Sequence, residues 1–154
     1  MVASPQLLGD ISKLEVLKWL RENDWPGYSY TCMGAALGGH LEILQWTIEN
    51  GCPWQENTRM AEYAVRGGNL EMLKWLRGKG CPWTDSTCAF AAEEGHFEML
   101  KWLRENGCPW DDLVCANAAA KGNLEMLKWA RGNGCPWSKL TCHNAAKVGK
   151  RMDV

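Results

Sequence analysis

Hydrophobic residues along this chain recur at helical spacing and form a broad apolar stripe in each of several similar segments. The clearest stripe lies between residues 97 and 105 and consists of Phe97, Met99, Leu100, Trp102 and Leu103. Charged residues occupy the opposite side, so the pattern predicts an amphipathic helix from about Phe97 to Glu105. An alanine-rich segment from Cys88 to about Glu94 precedes it. That segment predicts a first helix that ends at Gly95, because glycine adopts a left-handed helix cap without steric cost.

The same pair of helices is repeated along the chain, and each pair is followed by the tetrapeptide Gly-Cys-Pro-Trp. The tetrapeptides begin at Gly51, Gly80, Gly107 and Gly134. Their spacing is 29 residues once and 27 residues twice. The proline keeps the preceding cysteine extended and prevents the helix from continuing, so the tetrapeptide predicts a turn between units. A single helical hairpin of this length cannot bury its apolar face, whereas stacked neighbours bury it together.

These repeats predict an all-α fold, an α-solenoid of stacked helix-turn-helix units that forms a single domain over residues 1–154. The expected units have the boundaries 10–27, 28–54, 55–83, 84–110 and 111–137, all approximate, with a partial unit at 138–154. The last unit has no second helix, so we expect an open apolar face at Ala145 and Ala146. Either the chain is a fragment of a longer array, or a neighbouring subunit covers that face.

Composition and charge exclude several classes of protein. The chain has 154 residues, a formal net charge of −1 and 23% charged residues, which suits one globular domain and neither a strongly basic nucleic-acid binder nor an acidic tail. The first residues lack the basic start and apolar run of a secretory signal. No apolar stretch approaches the roughly 20 residues that span a bilayer. We therefore expect a cytoplasmic or otherwise reducing location, without secretion or membrane insertion.

The eight cysteines occupy two repeat positions. The turn position holds Cys52, Cys81, Cys108 and Cys135, and the first-helix position holds Cys32, Cys88, Cys115 and Cys142, with Ala61 in the remaining unit. Packed helices lie about 8–10 Å apart. Cysteines at the same repeat position in adjacent units should therefore exceed the roughly 7 Å between Cα atoms that a disulfide tolerates. Spacing alone allows a bridge such as Cys108 to Cys115, but Cys32 and Cys52 have no equivalent partners. We therefore expect buried free thiols, with disulfides or a metal site as the alternatives.

No group of residues indicates catalysis. His40 and His96 alternate with asparagine at one repeat position, which is typical of a helix cap or a turn hydrogen bond. The glutamates recur once in every unit, and a catalytic residue has no reason to recur in this way. Phosphate-binding motifs are absent, and the cysteines lack the spacing of a zinc site. We expect a protein that is not an enzyme, with no catalytic, cofactor-binding or metal-binding residues and no small-molecule substrate.

Tryptophan is unusually frequent, with ten residues, and most of them recur with the repeat. Four lie in the turns, and five share one position of the second helix: Trp19, Trp46, Trp75, Trp102 and Trp129. Since each indole buries on the order of 150–250 Å², we expect these side chains to fill the space between units. Stacking of nucleic-acid bases is the alternative use of such rows. The basic residues beside them alternate with glutamates, which favours a solvated helix face over a nucleic-acid site.

The segment Ala91-Ala-Glu-Glu-Gly-His-Phe-Glu-Met-Leu-Lys-Trp-Leu103 resembles the ankyrin repeat, whose pattern there is AAxxGHLExVxxLL. The resemblance covers roughly residues 10–150. It implies a protein-binding solenoid in which the first helices line the inner face. An ankyrin unit has about 33 residues, so each unit here is about six residues short. The deficit falls between Gly107 and Val114, so the β-hairpin finger of ankyrins is expected to be shortened or absent.

Positions that differ between units are free to contact a partner, whereas constant positions maintain the architecture. The differing positions lie before, within or at the end of the first helices. The candidate contact residues among them are Tyr30, Met33, Arg59, Glu62, Arg66, Ser86, Glu93, Leu113, Leu140, His143 and Lys147. We expect them to bind a protein partner or a larger complex, which would make the chain a scaffold, adaptor or peripheral subunit. Neutral variation on a solvated face is the alternative, and a thiol- or metal-dependent sensor or a nucleic-acid-binding solenoid are the competing functions.

Overall fold

The computed structural model describes residues 12–25, 28–55 and 59–151. The helices are α1 (Lys13–Glu22), α2 (Tyr28–Gly38), α3 (Leu41–Glu49), α4 (Arg59–Arg66), α5 (Leu70–Gly78), α6 (Asp85–Glu94), α7 (Phe97–Glu105), α8 (Asp112–Ala120), α9 (Leu124–Gly132) and α10 (Lys139–Arg151). The described residues contain no β-strand, so the predicted all-α solenoid without a hairpin finger is confirmed. In this part of the chain no helix is long and apolar enough to cross a membrane.

The helices form two layers. The first helices of the units, α2, α4, α6, α8 and α10, pack side by side. Each of the first four also packs against the second helix that follows it, namely α3, α5, α7 or α9. The remaining second helix, α1, contacts α3. Neighbouring units therefore contact each other mainly through their first helices, and residues on those helices are brought onto one surface.

Residue size differs between the two layers of the core. Ala91, Ala92 and Ala118 on the first helices are completely buried, and such small side chains allow α6 and α8 to approach closely. The second helices supply the large buried side chains, among them Leu100 and Leu103. Small residues thus set the spacing of the units, and leucines fill the volume between the layers.

Helix capping explains part of the repeat. Asn69 and Asn123 accept hydrogen bonds from the backbone N–H groups of Met72 and Met126, which caps α5 and α9. The histidines at the same repeat position, His40 and His96, make no such bond. The predicted capping role is therefore correct for asparagine, whereas neither histidine caps the helix that follows it.

The predicted start of the first helix is wrong, and the last helix does not end at its repeat glycine. Helix α6 begins at Asp85 rather than at Cys88, because the N–H of Thr84 donates to Oγ1 of Thr87 at 3.1 Å and the polar first turn is already helical. Gly95 has φ 79° and ends α6, but α10 continues through the equivalent Gly149 to Arg151. The two alanines of the expected open face, at 145 and 146, are exposed.

Gly67 marks a close approach between two units, which the substitution Gly67→Ala tests. A Cβ atom at this position would overlap the backbone carbonyl group of Leu37 near the end of α2. Since that backbone cannot move without shifting α2, we expect the substitution to lower the free energy of unfolding by about 1–3 kcal/mol, as overpacking generally does. Gly78→Ala is the matched control, because nothing lies within 4 Å of a Cβ atom there. Equal midpoints of urea unfolding for the two variants would contradict the prediction.

Candidate functional site

The candidate contact residues lie together in the layer of first helices. Five of them share the first turn of α2, α4, α6, α8 and α10: Tyr30, Arg59, Ser86, Leu113 and Leu140. Met33, Glu62 and His143 follow one turn later, and Arg66, Glu93 and Lys147 two turns later. The first-turn residues therefore belong to the helices rather than preceding them, contrary to expectation. We call these eleven residues the variable face.

The variable face is accessible, but not evenly. Tyr30 is 81% exposed, and Leu113 and Leu140 are 39% and 41% exposed. Ala89 and Ala116, which stand at the repeat position of Met33, are buried, so this row of the surface is interrupted on α6 and α8. Of the other members, five are exposed and three are half-buried: Arg59, Arg66, Glu93, His143 and Lys147, then Met33, Glu62 and Ser86.

Apolar and charged side chains are segregated along the variable face. Tyr30 and its neighbour Leu37 are exposed on α2, and Leu113 and Leu140 are exposed on the adjacent helices α8 and α10. The residues between these two apolar ends carry charges of both signs: Arg59, Glu62, Arg66 and Glu93. Hydrophobic anchors separated by charges of both signs suit a protein surface, whereas a polyanion requires an excess of positive charge.

Two asparagines fix the spacing of the first helices beneath the variable face. Nδ2 of Asn117 donates to the carbonyl oxygen of Ala89 at 2.9 Å, and Nδ2 of Asn144 donates to that of Ala116 at 3.2 Å. These bonds tie α8 to α6 and α10 to α8. These hydrogen bonds between helices were missed from the sequence. The one available signal was that both asparagines share a position in alanine-rich helices, where asparagine has low helix propensity.

Arg66 is held in place by a contact between two units. Its guanidinium carbon, on α4, lies 4.1 Å from the centroid of the Phe90 ring on α6. A guanidinium over an aromatic face is attracted by the ring quadrupole. Arg66 is therefore ordered before any partner binds, which lowers the entropy lost when it forms a contact.

Three of the four Gly-Cys-Pro-Trp turns, those that begin at Gly80, Gly107 and Gly134, are fastened by an arginine of the preceding second helix. In one of them Cζ of Arg104 lies 4.1 Å from the ring centroid of Trp110, and Nη1 donates to the carbonyl oxygen of Cys108 at 2.6 Å. Equivalent contacts join Arg77 to Trp83 and Cys81, and Arg131 to Trp137 and Cys135. In the neighbouring row, Lys101 pairs with Glu98 at 2.9 Å. The basic residues of this face are exposed or half-buried, which agrees with the predicted solvated face, and its arginines in addition bind the turns.

Tryptophans connect the turns to the next unit. Trp83 meets Trp102 of α7 edge to face with ring centroids 6.0 Å apart, and Trp110 meets Trp129 of α9 in the same way at 5.7 Å. The prediction that indoles fill the space between units is confirmed at these two junctions. Rings packed in this way are not displayed as a platform for nucleic-acid bases.

The cysteines form a pair that their spacing in the sequence did not predict. Cys32 of α2 and Cys52 of the turn after α3 are joined by a disulfide bond, with Cα atoms 6.9 Å apart. The expectation of free thiols is therefore wrong for this pair. The two partners lie 20 residues apart in the sequence. They meet because the second helix runs back along the first and returns the turn to the side of the first helix. A bridge from Cys108 to Cys115, which spacing had allowed, is not formed.

Two further pairs have the same separation in the sequence and remain thiols. The Cys88 and Cys108 thiols lie within hydrogen-bonding reach of each other, and so do those of Cys115 and Cys135. The shared hydrogen bond lowers the pKa of Cys108, with help from the Arg104 charge, and raises the pKa of Cys88. Burial is the main reason that the pKa of Cys115 is raised and that the pKa of Cys135 is raised to about 12.

The histidines and acidic residues of the described segments form no metal cluster. No group of three or more His, Cys, Asp or Glu side chains in residues 12–25, 28–55 and 59–151 is placed to hold a metal ion. Nε2 of His96 is buried without a hydrogen-bond partner, with its ring against Gly68 of the preceding unit. A single nitrogen of this kind is a packing feature between units.

Comparison with known families agrees with this architecture. The family model described as ankyrin repeats (many copies) matches residues 32–77 and 88–131, which together are more than half of the chain. The first match contains most of α2 through α5, and the second contains most of α6 through α9. No curated protein matches the chain.

Proposed function

Because the chain belongs to the ankyrin-repeat family, we propose that it is a non-enzymatic interaction module whose variable face binds a protein partner. Ankyrin repeats are generally protein–protein interaction modules. In this role the chain would be a scaffold, an adaptor or a peripheral subunit of a larger complex. We propose that the chain binds a protein, and that it uses neither a cofactor nor a small-molecule substrate. We place the chain itself in the cytoplasm or another reducing compartment, where the bond between Cys32 and Cys52 would be open to reduction.

The observation that carries this proposal is the exposure of apolar side chains on the layer of first helices, at a repeat position whose residue differs between units. Leu113 and Leu140 occupy equivalent positions on adjacent helices and are 39% and 41% exposed. The hydrogen bond from Asn144 to the carbonyl of Ala116 holds the two helices together. Two leucines in fixed register form a small apolar patch, and the burial of apolar surface is the dominant favourable term in most protein–protein association.

The charged centre of the variable face determines which partners fit. Arg59, Glu62, Arg66 and Glu93 present both signs within two adjacent helices, α4 and α6. A partner of complementary pattern associates faster and in one register, whereas like charges opposed across the interface exclude others. The partner should therefore carry apolar residues for the two ends and mixed charges for the centre.

The double variant Leu113→Ala/Leu140→Ala tests the proposal. We expect it to lose partner binding by about tenfold or more, since the burial of two leucine side chains in an interface contributes at least about 1.4 kcal/mol. The measurement is affinity capture with the full chain as bait, quantified by mass spectrometry, followed by titration of the protein that is recovered. Because both leucines are partly exposed, the variant should fold like the original chain, which circular dichroism checks.

Leu124→Ala is the matched control for this experiment. Leu124 is 61% exposed, but it lies on the second helix α9 rather than on the variable face. We expect this variant to retain the partner. Binding that survives the double variant and is lost with Leu124→Ala would place the interface on the second helices and overturn the proposal. Recovery of nucleic acid with a steep salt dependence would also contradict it.

A further inference from the structure

Three units place a cysteine of the first helix beside the cysteine of their own Gly-Cys-Pro-Trp turn. Cys32 and Cys52 are bonded, and their separation in the sequence is 20 residues. The pairs Cys88 with Cys108 and Cys115 with Cys135 have the same separation and stand at the same repeat positions. In both pairs the two thiols are within hydrogen-bonding reach of each other.

Further contacts hold the turn cysteines in this arrangement. Sγ of Cys108 lies 3.5 Å from the carbonyl oxygen of Thr84, and Sγ of Cys135 lies 3.3 Å from that of Asp111. Sγ of Cys88 in turn lies 4.0 Å from the carbonyl oxygen of Cys108. Each turn cysteine is therefore directed toward the start of the first helix in its own unit. This arrangement is a consequence of the repeat and is not confined to one unit.

We propose that the pairs Cys88 with Cys108 and Cys115 with Cys135 are modification sites, dithiols that a low-molecular-mass disulfide such as oxidised glutathione converts to the kind of disulfide that Cys32 and Cys52 already form in their own unit. The proposal is independent of the partner-binding function, since none of these cysteines belongs to the variable face. The unit of α4 and α5 is excluded, because Ala61 stands opposite Cys81. Cys142 is exposed and has no turn cysteine in its unit.

The reaction is two successive thiol–disulfide exchanges. The thiolate of Cys108 attacks one sulfur of the small disulfide, its S–S bond breaks, and one small thiolate leaves and takes up the proton released from Cys108. The Cys88 sulfur then attacks Cys108 in the mixed disulfide, and the second small thiolate leaves with the Cys88 proton. Two electrons pass from the cysteine pair to the small disulfide, which is reduced to two thiols.

The environment of the sulfurs sets an order among the pairs. The hydrogen bond from Cys88 and the Arg104 charge lower the pKa of Cys108, which favours the thiolate that begins the exchange. Burial raises the pKa of Cys115 and Cys135, so neither is favoured as a thiolate. All four are buried, and the small disulfide reaches them only when a turn opens locally. Exchange should therefore be slow, with Cys88–Cys108 oxidised before Cys115–Cys135.

Each disulfide would close one unit on itself. The bond joins the first helix to the turn that follows the second helix, so the covalent loop contains the first helix from its cysteine onward and the whole second helix. A loop of this kind stabilises the folded state mainly by restricting the unfolded chain. Oxidation is thus expected to stiffen individual units while the joints between units remain non-covalent.

The test equilibrates the full chain in glutathione buffers of graded redox ratio, then alkylates the remaining thiols in denaturant and maps the linked peptides. Under reducing conditions we expect all eight cysteines to be alkylated. Under oxidising conditions we expect the links 32–52, 88–108 and 115–135, with Cys81 and Cys142 outside any intramolecular disulfide. The proposal is overturned if the last two pairs stay alkylated where 32–52 is linked, or if the links join different units.

The substitution Cys88→Ala provides a sharper version of this test, because alanine already occupies the same position naturally at Ala61. We expect the variant to fold, to lose the 88–108 link and to keep the other two. Its rise in urea midpoint upon oxidation should be smaller than that of the original chain. Cys81→Ala is the matched control and should keep all three links and the full rise. A new bond from Cys108 to a cysteine of another unit would show that geometry does not set the pairing.

Discussion

We expect Leu103→Ala to lower the free energy of unfolding by about 2–5 kcal/mol, the range found when a fully buried leucine is truncated in a well-packed core. The Leu103 side chain is 0% exposed on α7, which lies in a central unit of the array. Units of a solenoid are stabilised mainly by their nearest neighbours, so a cavity in a central unit weakens the junctions on both sides. Urea unfolding followed by circular dichroism, under reducing conditions, measures the effect.

Leu124→Ala is the control for that measurement as well. Leu124 lies on a second helix like Leu103 but is 61% exposed, so its truncation should change the free energy of unfolding by no more than about 0.5 kcal/mol. Both variants change a leucine on a second helix to alanine, so the difference between their free energies of unfolding reports the effect of burial alone. Similar losses for the two variants would mean that the second helices do not form the core described above.

We expect Trp110→Ala to destabilise the chain by about 3 kcal/mol, because the substitution removes three contributions at once. The indole is half-buried, it carries the Arg104 guanidinium at 4.1 Å, and it meets Trp129 of the next unit at 5.7 Å. Cation–π and aromatic pairs each contribute about 0.5–1.5 kcal/mol beyond the burial of area. Thermal or urea unfolding of the variant measures the combined loss.

Trp137→Ala distinguishes the contact between units from the contact within the turn. Trp137 occupies the same repeat position and carries Arg131 at 4.0 Å, but it is 59% exposed and contacts no other aromatic ring in the described residues. Its truncation should therefore cost no more than about 1 kcal/mol, the value of an exposed cation–π pair. If both tryptophan variants lost the same stability, the contact with Trp129 would contribute nothing and the joint between units would lie elsewhere.

The helices were predictable because their apolar pattern is periodic and repeated. The expected span of the second helix, Phe97 to Glu105, is the span observed. The start of the first helix was missed by three residues, since the polar first turn from Asp85 has no apolar period and is stabilised by local hydrogen bonds around Thr84. Hydrophobic periodicity reports the buried face of a helix and carries little information about its solvated first turn.

The candidate site was predictable only for those properties that depend on a residue's own place in the repeat and not on contacts with a neighbouring helix. Comparison of the units located the variable face on the first helices, but the burial of Ala89 and Ala116 depends on the neighbouring helix and is not visible in the sequence. The bond from Asn117 to Ala89 spans 28 residues, and the Cys32–Cys52 bond spans 20. Such contacts arise when helices of fixed length fold back on one another, so spacing along the chain does not identify the partners. Whether the variable face binds a partner stays a prediction.

The joint between units also bears on how an array of this kind changes its length. Arg104 and Trp110 come from one unit and Trp129 comes from the next, and all three stand at positions that recur in other units. Duplication of a whole repeat such as residues 84–110 in the gene therefore regenerates complete joints at the new boundary, because such a unit supplies both Trp102 and the pair Arg104 and Trp110. The number of repeats is free to change in one genetic event without compensating substitutions in the core. Each added copy would lengthen the variable face by one helix, on which new specificity can then evolve.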